Sequence, residues 1–191
     1  MKTLKFLIYT ILLTACALPA HSTEIGEDDD YILGEELFAK GEYVDALKAY
    51  GRSAKNGNSE AQYRIGMMFL EGDGLNANPQ DAAYWFRKAA QNGHAPSQFA
   101  IGECFMNGTG VQQDTRMAAE WFWRAAEQGH PEASLYVARM YRDGIGMRQD
   151  MARARKYYKK AIAAGIPEAE SELNALPDEP AVKSNKNSKR K

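Results

Sequence analysis

The sequence predicts an all-α fold, an α-solenoid of stacked antiparallel helix pairs, and three observations carry that expectation. The 191 residues include 29 Ala but only 4 Val and 9 Ile, so strand-forming β-branched residues are scarce and a mostly β fold is excluded. Segments 61–96 and 97–132 align without a gap with 14 of 36 positions identical, and 133–168 continues the register. A fixed period of this length marks a repeat architecture. Within each period, glycines and capping residues recur at the ends of amphipathic runs. The formal charge of -1 supplies no basic field, which argues against nucleic acid as a partner.

At the amino end, Lys2 and Lys5 precede an uncharged, largely apolar run from Phe6 to Ala20. Its 15 residues are fewer than the roughly 18 to 20 needed to span a bilayer, so segment 1–20 is expected to be an export signal. Leu13-Thr14-Ala15-Cys16 resembles a lipobox, which would make Cys16 a lipidation site and the membrane a partner through that anchor only. Ala15-Cys16-Ala17 and Leu18-Pro19-Ala20 offer ordinary signal-peptidase sites instead, and both readings stand. Residues 21–30 form an acidic leader. The expected location is the periplasm or an outer-membrane anchor, with secretion as the alternative.

The repeats follow in order. Segment 31–60 keeps Gly34, Ala46, Tyr50, Ser53, Ala54 and Gly57 but has only Lys40-Gly41-Glu42 as a connection, so it is a shortened first unit. In 61–96, positions 61, 65, 66 and 69 share one helical face: Ile65 and Phe69 bury, and Gly66 lets a neighbour approach closely. Gly72 and Gly74 end this first helix. Asn78 caps the second helix and Pro79 occupies its first turn; Asp114 and Asp150 are the equivalent caps. Positions 82, 85, 86, 89 and 90 form the second apolar face, stopped by Gly93, Gly129 and Gly165 in successive units. Segments 97–132 and 133–168 repeat the plan. Segment 169–176 begins one more helix and stops at Pro177, as a terminal cap does. Segment 177–191 lacks apolar periodicity and is expected to be a solvated basic tail.

These columns closely resemble the Sel-one-like repeat, a branch of the tetratricopeptide superfamily. The second full unit carries Gly102, Phe105, Gly108, Gly110, Val111, Asp114, Ala118, Trp121, Phe122, Ala125, Ala126 and Gly129. The resemblance implies that the exposed face of each first helix lines a concave groove. On that basis the partner-binding groove is expected at Arg64, Met67, Met68, Glu71, Ala100, Glu103, Cys104, Asn107, Tyr136, Arg139, Met140 and Asp143. Tyr84 and Trp123, off the packed face of the second helices, mark a second, convex contact site.

Tests for enzymatic chemistry come back weak. Gly72-Asp73-Gly74-Leu75-Asn76-Ala77 formally fits a dinucleotide fingerprint but lacks the preceding strand that fingerprint requires. His94 and His130 occupy one column 36 residues apart, too far to share a metal across packed helices, and are read as turn residues. No G-x-S-x-G or H-E-x-x-H motif is present, and S-x-x-K occurs only as Ser188-Lys189-Arg190-Lys191 in the basic tail. Cysteine-rich relatives of this family have been assigned β-lactamase activity, but their paired cysteines are absent here, and Cys104 is expected to be a small packing residue. The expectation is therefore a monomeric, non-enzymatic adaptor without cofactor or metal, binding another envelope protein or peptide. The alternatives are a secreted or surface host-interaction factor, or an envelope hydrolase using Cys104 or groove acids.

Overall fold

The computed structural model describes residues 28–177; the signal segment with Cys16, most of the acidic leader and the basic tail beyond Pro177 lie outside the described residues. Among the described residues nine helices follow one another: α1 (Asp29–Ala39), α2 (Tyr43–Lys55), α3 (Ser59–Glu71), α4 (Pro79–Gln91), α5 (Ala95–Asn107), α6 (Thr115–Glu127), α7 (Pro131–Asp143), α8 (Met151–Ala163) and α9 (Glu168–Asn174). No strand occurs among the described residues. Each odd-numbered helix up to α7 pairs with its successor, and each pair packs on the next, so the molecule is an all-α repeat solenoid.

The helix starts and stops are where the capping chemistry puts them. The Asn78 carboxamide oxygen accepts from the backbone N–H of Gln80 and Asp81, Asp114 accepts from Arg116 and Met117, and Asp150 accepts from Arg153. At the other end, Gly108 adopts a left-handed conformation with φ of 73° and donates its N–H to the Cys104 carbonyl, a pattern Gly72 and Gly144 repeat.

The second glycine of each Gly-x-Gly pair has a different task. A methyl group on Gly110 would overlap the carbonyl oxygen of Pro79 and stand 2.8 Å from the Gln80 nitrogen. On Gly146 it would collide with the Thr115 carbonyl, and on Gly74 with Tyr43. The loop of each repeat is thus pressed against the start of the preceding unit's second helix. The first glycine ends a helix; the second sets how closely one repeat follows another.

Inside each pair, small residues face rings. A Cβ on Gly102 would lie 2.7 Å from Cδ1 and Cε1 of Phe122, one on Gly66 would lie 2.6 Å from the same atoms of Phe86, and Gly34 faces Tyr50 in the same way. The close approach at this column is therefore by the ring of the partner helix. Ala82, Ala89, Ala118, Ala125, Ala154 and Ala161 flank these rings at 0% exposure.

Polar side chains tie neighbouring units together. Gln62 donates to the Ala54 carbonyl at 3.1 Å and Gln98 to the Ala90 carbonyl at 3.2 Å, and Gln128 donates to Gln98 Oε1 at 2.7 Å. Buried amides without such partners would cost stability, so these bonds also fix the register between repeats. The ends are closed similarly. Asp28 accepts from Ser53 at 2.5 Å and from Asn58 at 2.9 Å, and these bonds hold its carboxyl below the usual range even though burial acts the other way. On α9, Glu172 accepts from Arg139 Nε at 3.0 Å, Arg142 Nη1 at 2.8 Å and Tyr158 at 2.9 Å.

Candidate functional site

The first helix of a solenoid pair packs on its own partner and on the second helix of the preceding pair, so its buried stripe is wider than that of a helix covered on one side. This corrects part of the expected groove. Met68, Cys104 and Met140, one column 36 residues apart, are buried at 1%, 4% and 3% exposure rather than lining the open face. Met68 packs with Ala46, Tyr50 and Ala54 of α2. Glu71, Asn107 and Asp143 are exposed, and Arg64, Met67, Ala100, Glu103, Tyr136 and Arg139 are half-buried.

Several of these side chains are already engaged within the protein. Arg64 Nη2 donates to Glu35 at 2.9 Å, joining α3 to α1. Arg139 is bidentate on Glu172, and Asp143 accepts two bonds from its neighbour Arg142, which hold the Asp143 carboxyl below its ordinary range. Tyr136 lies 4.9 Å from the Phe122 ring and 5.6 Å from Phe99. These groups brace the stack.

Of the remaining members, Met67, Ala100, Glu103 and Asn107, but not Glu71, line a cavity of about 320 Å³ between α3 and α5. Tyr63 and Met67 form one wall, Phe99 and Ala100 the other, with Glu103 and Asn107 along α5 and Cys104 beneath. Tyr63 and Phe99 were not among the expected site residues, although they recur 36 residues apart; their aromatic column was legible in the repeat. Glu103 has no hydrogen bond or ion pair among the described residues. Burial, then the nearby Glu132 carboxylate, raises its pKa above the ordinary value.

Cys104 is not an activated thiol. Burial first, and Glu103 second, push its pKa up to about 11 from an ordinary 9.0, opposite to what a nucleophilic cysteine requires. At pH 8 the thiolate fraction is then about a hundredfold smaller in the folded protein than in the unfolded chain. Modification by a disulfide reagent at pH 8 should accordingly be at least that much slower in native protein than in denaturant, and should speed up as pH rises towards 11; equal rates would refute the burial.

One arrangement resembles hydrolase chemistry in distance alone. His94 Nδ1 lies 2.8 Å from Ser97 Oγ, and His94 Nε2 lies 2.9 Å from Glu60. Ser97, however, is 0% exposed, so its hydroxyl meets no substrate and the three groups instead brace the start of α5 against α3. The equivalent His130 accepts from the Ala133 N–H as a helix cap and stacks on Phe99 with centroids 4.7 Å apart; burial lowers its pKa. The histidine column therefore sits at the helix starts. Among the described residues no group of three His, Cys, Asp or Glu is placed to hold a metal, and no helix is long and apolar enough to cross a membrane.

On the second helices, Tyr84 is 59% and Trp123 44% exposed. Tyr84 packs edge-on against Trp85, and Trp123 borders a shallow cavity with Tyr141, Arg153 and Tyr157.

The fold and this surface define a helical-repeat protein whose distinguishing features are glycine-punctuated 36-residue units and a groove between successive first helices. The family model for the Sel1 repeat matches residues 59–94, 95–130 and 131–166, and the chain belongs to that family. Sel1 repeat proteins are in general protein-interaction scaffolds, and the family is typically non-enzymatic. The chain is similar to a Sel1 repeat protein from Oxalobacter formigenes, at 29% identity and a TM-score of 0.72 over 75% of this chain and 59% of that one. It is also similar to a protective antigen present in uropathogenic Escherichia coli strains displaying an SLR fold, at 32% identity and a TM-score of 0.71 over 75% of this chain and 32% of that one. It therefore spans less than two thirds of either. Helicobacter pylori cysteine rich protein B shares the fold at 20% identity and a TM-score of 0.52, over 66% of this chain and 96% of that one. No curated protein matches the chain.

Proposed function

We propose that this protein is a non-enzymatic adaptor of the bacterial cell envelope that holds a segment of another envelope protein in the groove between α3 and α5. The observation that carries this reading is the groove itself: a cavity of about 320 Å³ with aromatic and methionine walls and a half-buried carboxylate that no group among the described residues engages. Methionine adapts to irregular apolar partners, and aromatic walls supply much of the binding free energy at interfaces. The raised Cys104 pKa and the inaccessible Ser97 hydroxyl count against the hydrolase alternative. The envelope location is supported by the signal-like segment 1–20, in which Cys16 is the candidate lipid attachment point.

A second reading, a surface or secreted factor that meets host cells, is favoured by one finding, the similarity to the protective antigen of uropathogenic strains.

The test is crosslinking of the tagged full chain in its own cells, followed by identification of what is captured. Asn107→Arg places a bulky charge at the exposed edge of the groove and is expected to abolish the main adduct without altering the thermal melt. Tyr84→Ala should leave it intact. An adduct that survives Asn107→Arg and disappears with Tyr84→Ala would transfer the site to the second helices.

A further inference from the structure

We infer that the α3–α5 groove selects a partner segment presenting a lysine or arginine between apolar residues, with Glu103 as the group that receives the cation. This rests on the groove being the docking site and specifies what docks there.

The inference starts from the disposition of charge. The cations expected to line the open face are spent internally: Arg64 on Glu35, and Arg139 on Glu172. The acids are also largely engaged. Glu60 holds His94 and Glu172 holds two arginines and Tyr158. Glu103 is different. It is half-buried, lines the cavity, and has no cation or donor among the described residues. Among the described residues, the charge that acts on it is that of another carboxylate, Glu132. Arg87, which acts on the adjacent Cys104, lies over the Phe105 ring, 5.5 Å from its centroid.

An unpaired carboxylate at the edge of a low-dielectric cavity is costly to keep there, and an incoming cation offsets both its desolvation and its repulsion from Glu132. The walls suit the rest of such a side chain. A lysine or arginine stem can lie along Met67 and Ala100, and the faces of Tyr63 and Phe99 attract a cation as it passes. An acidic segment would meet only repulsion. A purely apolar one would cover the half-buried Glu103 carboxylate without pairing it, which discriminates against it.

Three acetylated, amidated pentapeptides test this: leucine, alanine, a central residue, alanine and leucine, with lysine, norleucine or glutamate at the centre. Each is titrated into the nitrogen-labelled full chain while amide resonances are followed. The lysine peptide should shift the amides of Met67, Ala100 and Asn107 and bind about tenfold tighter than the norleucine peptide, with the glutamate peptide weakest. Glu103→Gln should reduce the lysine preference to about threefold or less, because the lysine peptide loses its carboxylate partner and the norleucine peptide no longer leaves a charge unpaired.

Equal binding of the lysine and norleucine peptides in the groove, or a lysine preference that survives Glu103→Gln, would overturn the role of Glu103 while leaving the groove as a docking site. Groove amides that respond to none of the peptides at millimolar concentration would overturn both.

Discussion

Gly110→Ala is expected to destabilise the protein by about 3 kcal/mol, whereas Gly108→Ala, two residues earlier and at nearly the same φ, should cost only about 1 to 1.5 kcal/mol. The two glycines have φ of 70° and 73°, so the left-handed backbone penalty for an added Cβ is shared. What separates them is the surroundings. A Cβ on Gly108 finds its nearest neighbour 3.5 Å away, an ordinary contact with Gln113, whereas one on Gly110 meets the Pro79 carbonyl and the Gln80 nitrogen, backbone atoms that cannot swing aside. Relief requires the loop to lift off the start of α4, opening the seam between repeats. Urea denaturation of both variants checks this; indistinguishable midpoints would show that the second glycine serves only its own turn.

Gly102→Val should cost about 3 kcal/mol by a different route. Here the backbone is helical, and the obstacle is the Phe122 ring, at 0% exposure and wedged against Phe99 and Tyr136 with centroids 5.4 and 4.9 Å away. With the ring fixed on its other side, branched side-chain atoms at position 102 force α5 and α6 apart. In the third unit the equivalents of Gly102 and Phe122 are Ala138 and Tyr158, both in the same buried cluster, so a single methyl is tolerable at this column and Gly102→Ala should be much milder than Gly102→Val. Removing the obstacle should rescue: Gly102→Val combined with Phe122→Leu is expected to cost at least about 1 kcal/mol less than the sum of the single changes. Strict additivity would mean that the two residues do not meet.

Both predictions show which features were legible before the fold was known. The 36-residue period, the caps at Asn78, Asp114 and Asp150, and the stop at each Gly-x-Gly follow from local rules that act over a few residues, so sequence alone locates them. Helix burial did not follow so directly. A single helical stripe explains Ile65 and Phe69 but not Met68, because the second buried face of α3 is created by α2, a neighbour whose position depends on how repeats stack. The same reason hid the second role of Gly110, whose contact lies about 30 residues away in the chain.

The groove was legible in part. Met67, Glu103 and Asn107 are expected from the sequence on the exposed side of the first helices and line the cavity, and their value depends on what surrounds them. Arg64 and Arg139 have the composition of binding residues, and only the positions of Glu35 and Glu172, some 30 residues away, show that they are engaged within the protein. Conversely, Glu103 looks in sequence like any solvent-facing acid. Its lack of a partner becomes visible only once Tyr63, Met67 and Phe99 are brought around it. A Ser–His–Glu alignment at Ser97, His94 and Glu60 is the opposite case: its distances suggest chemistry, and burial removes the access that chemistry needs.

The central claim is that the face between α3 and α5 is where a partner docks. It is tested most directly by placing a photoactivatable amino acid at single positions of the full chain in its own cells. Asn107 samples the edge of the groove, and Lys159, exposed on α8, samples the opposite helices. A discrete adduct from position 107, absent from 159 and lost when Glu103→Lys is introduced, is the result expected. An adduct from position 159 with none from 107, or one from 107 that persists after Glu103→Lys, would contradict the account.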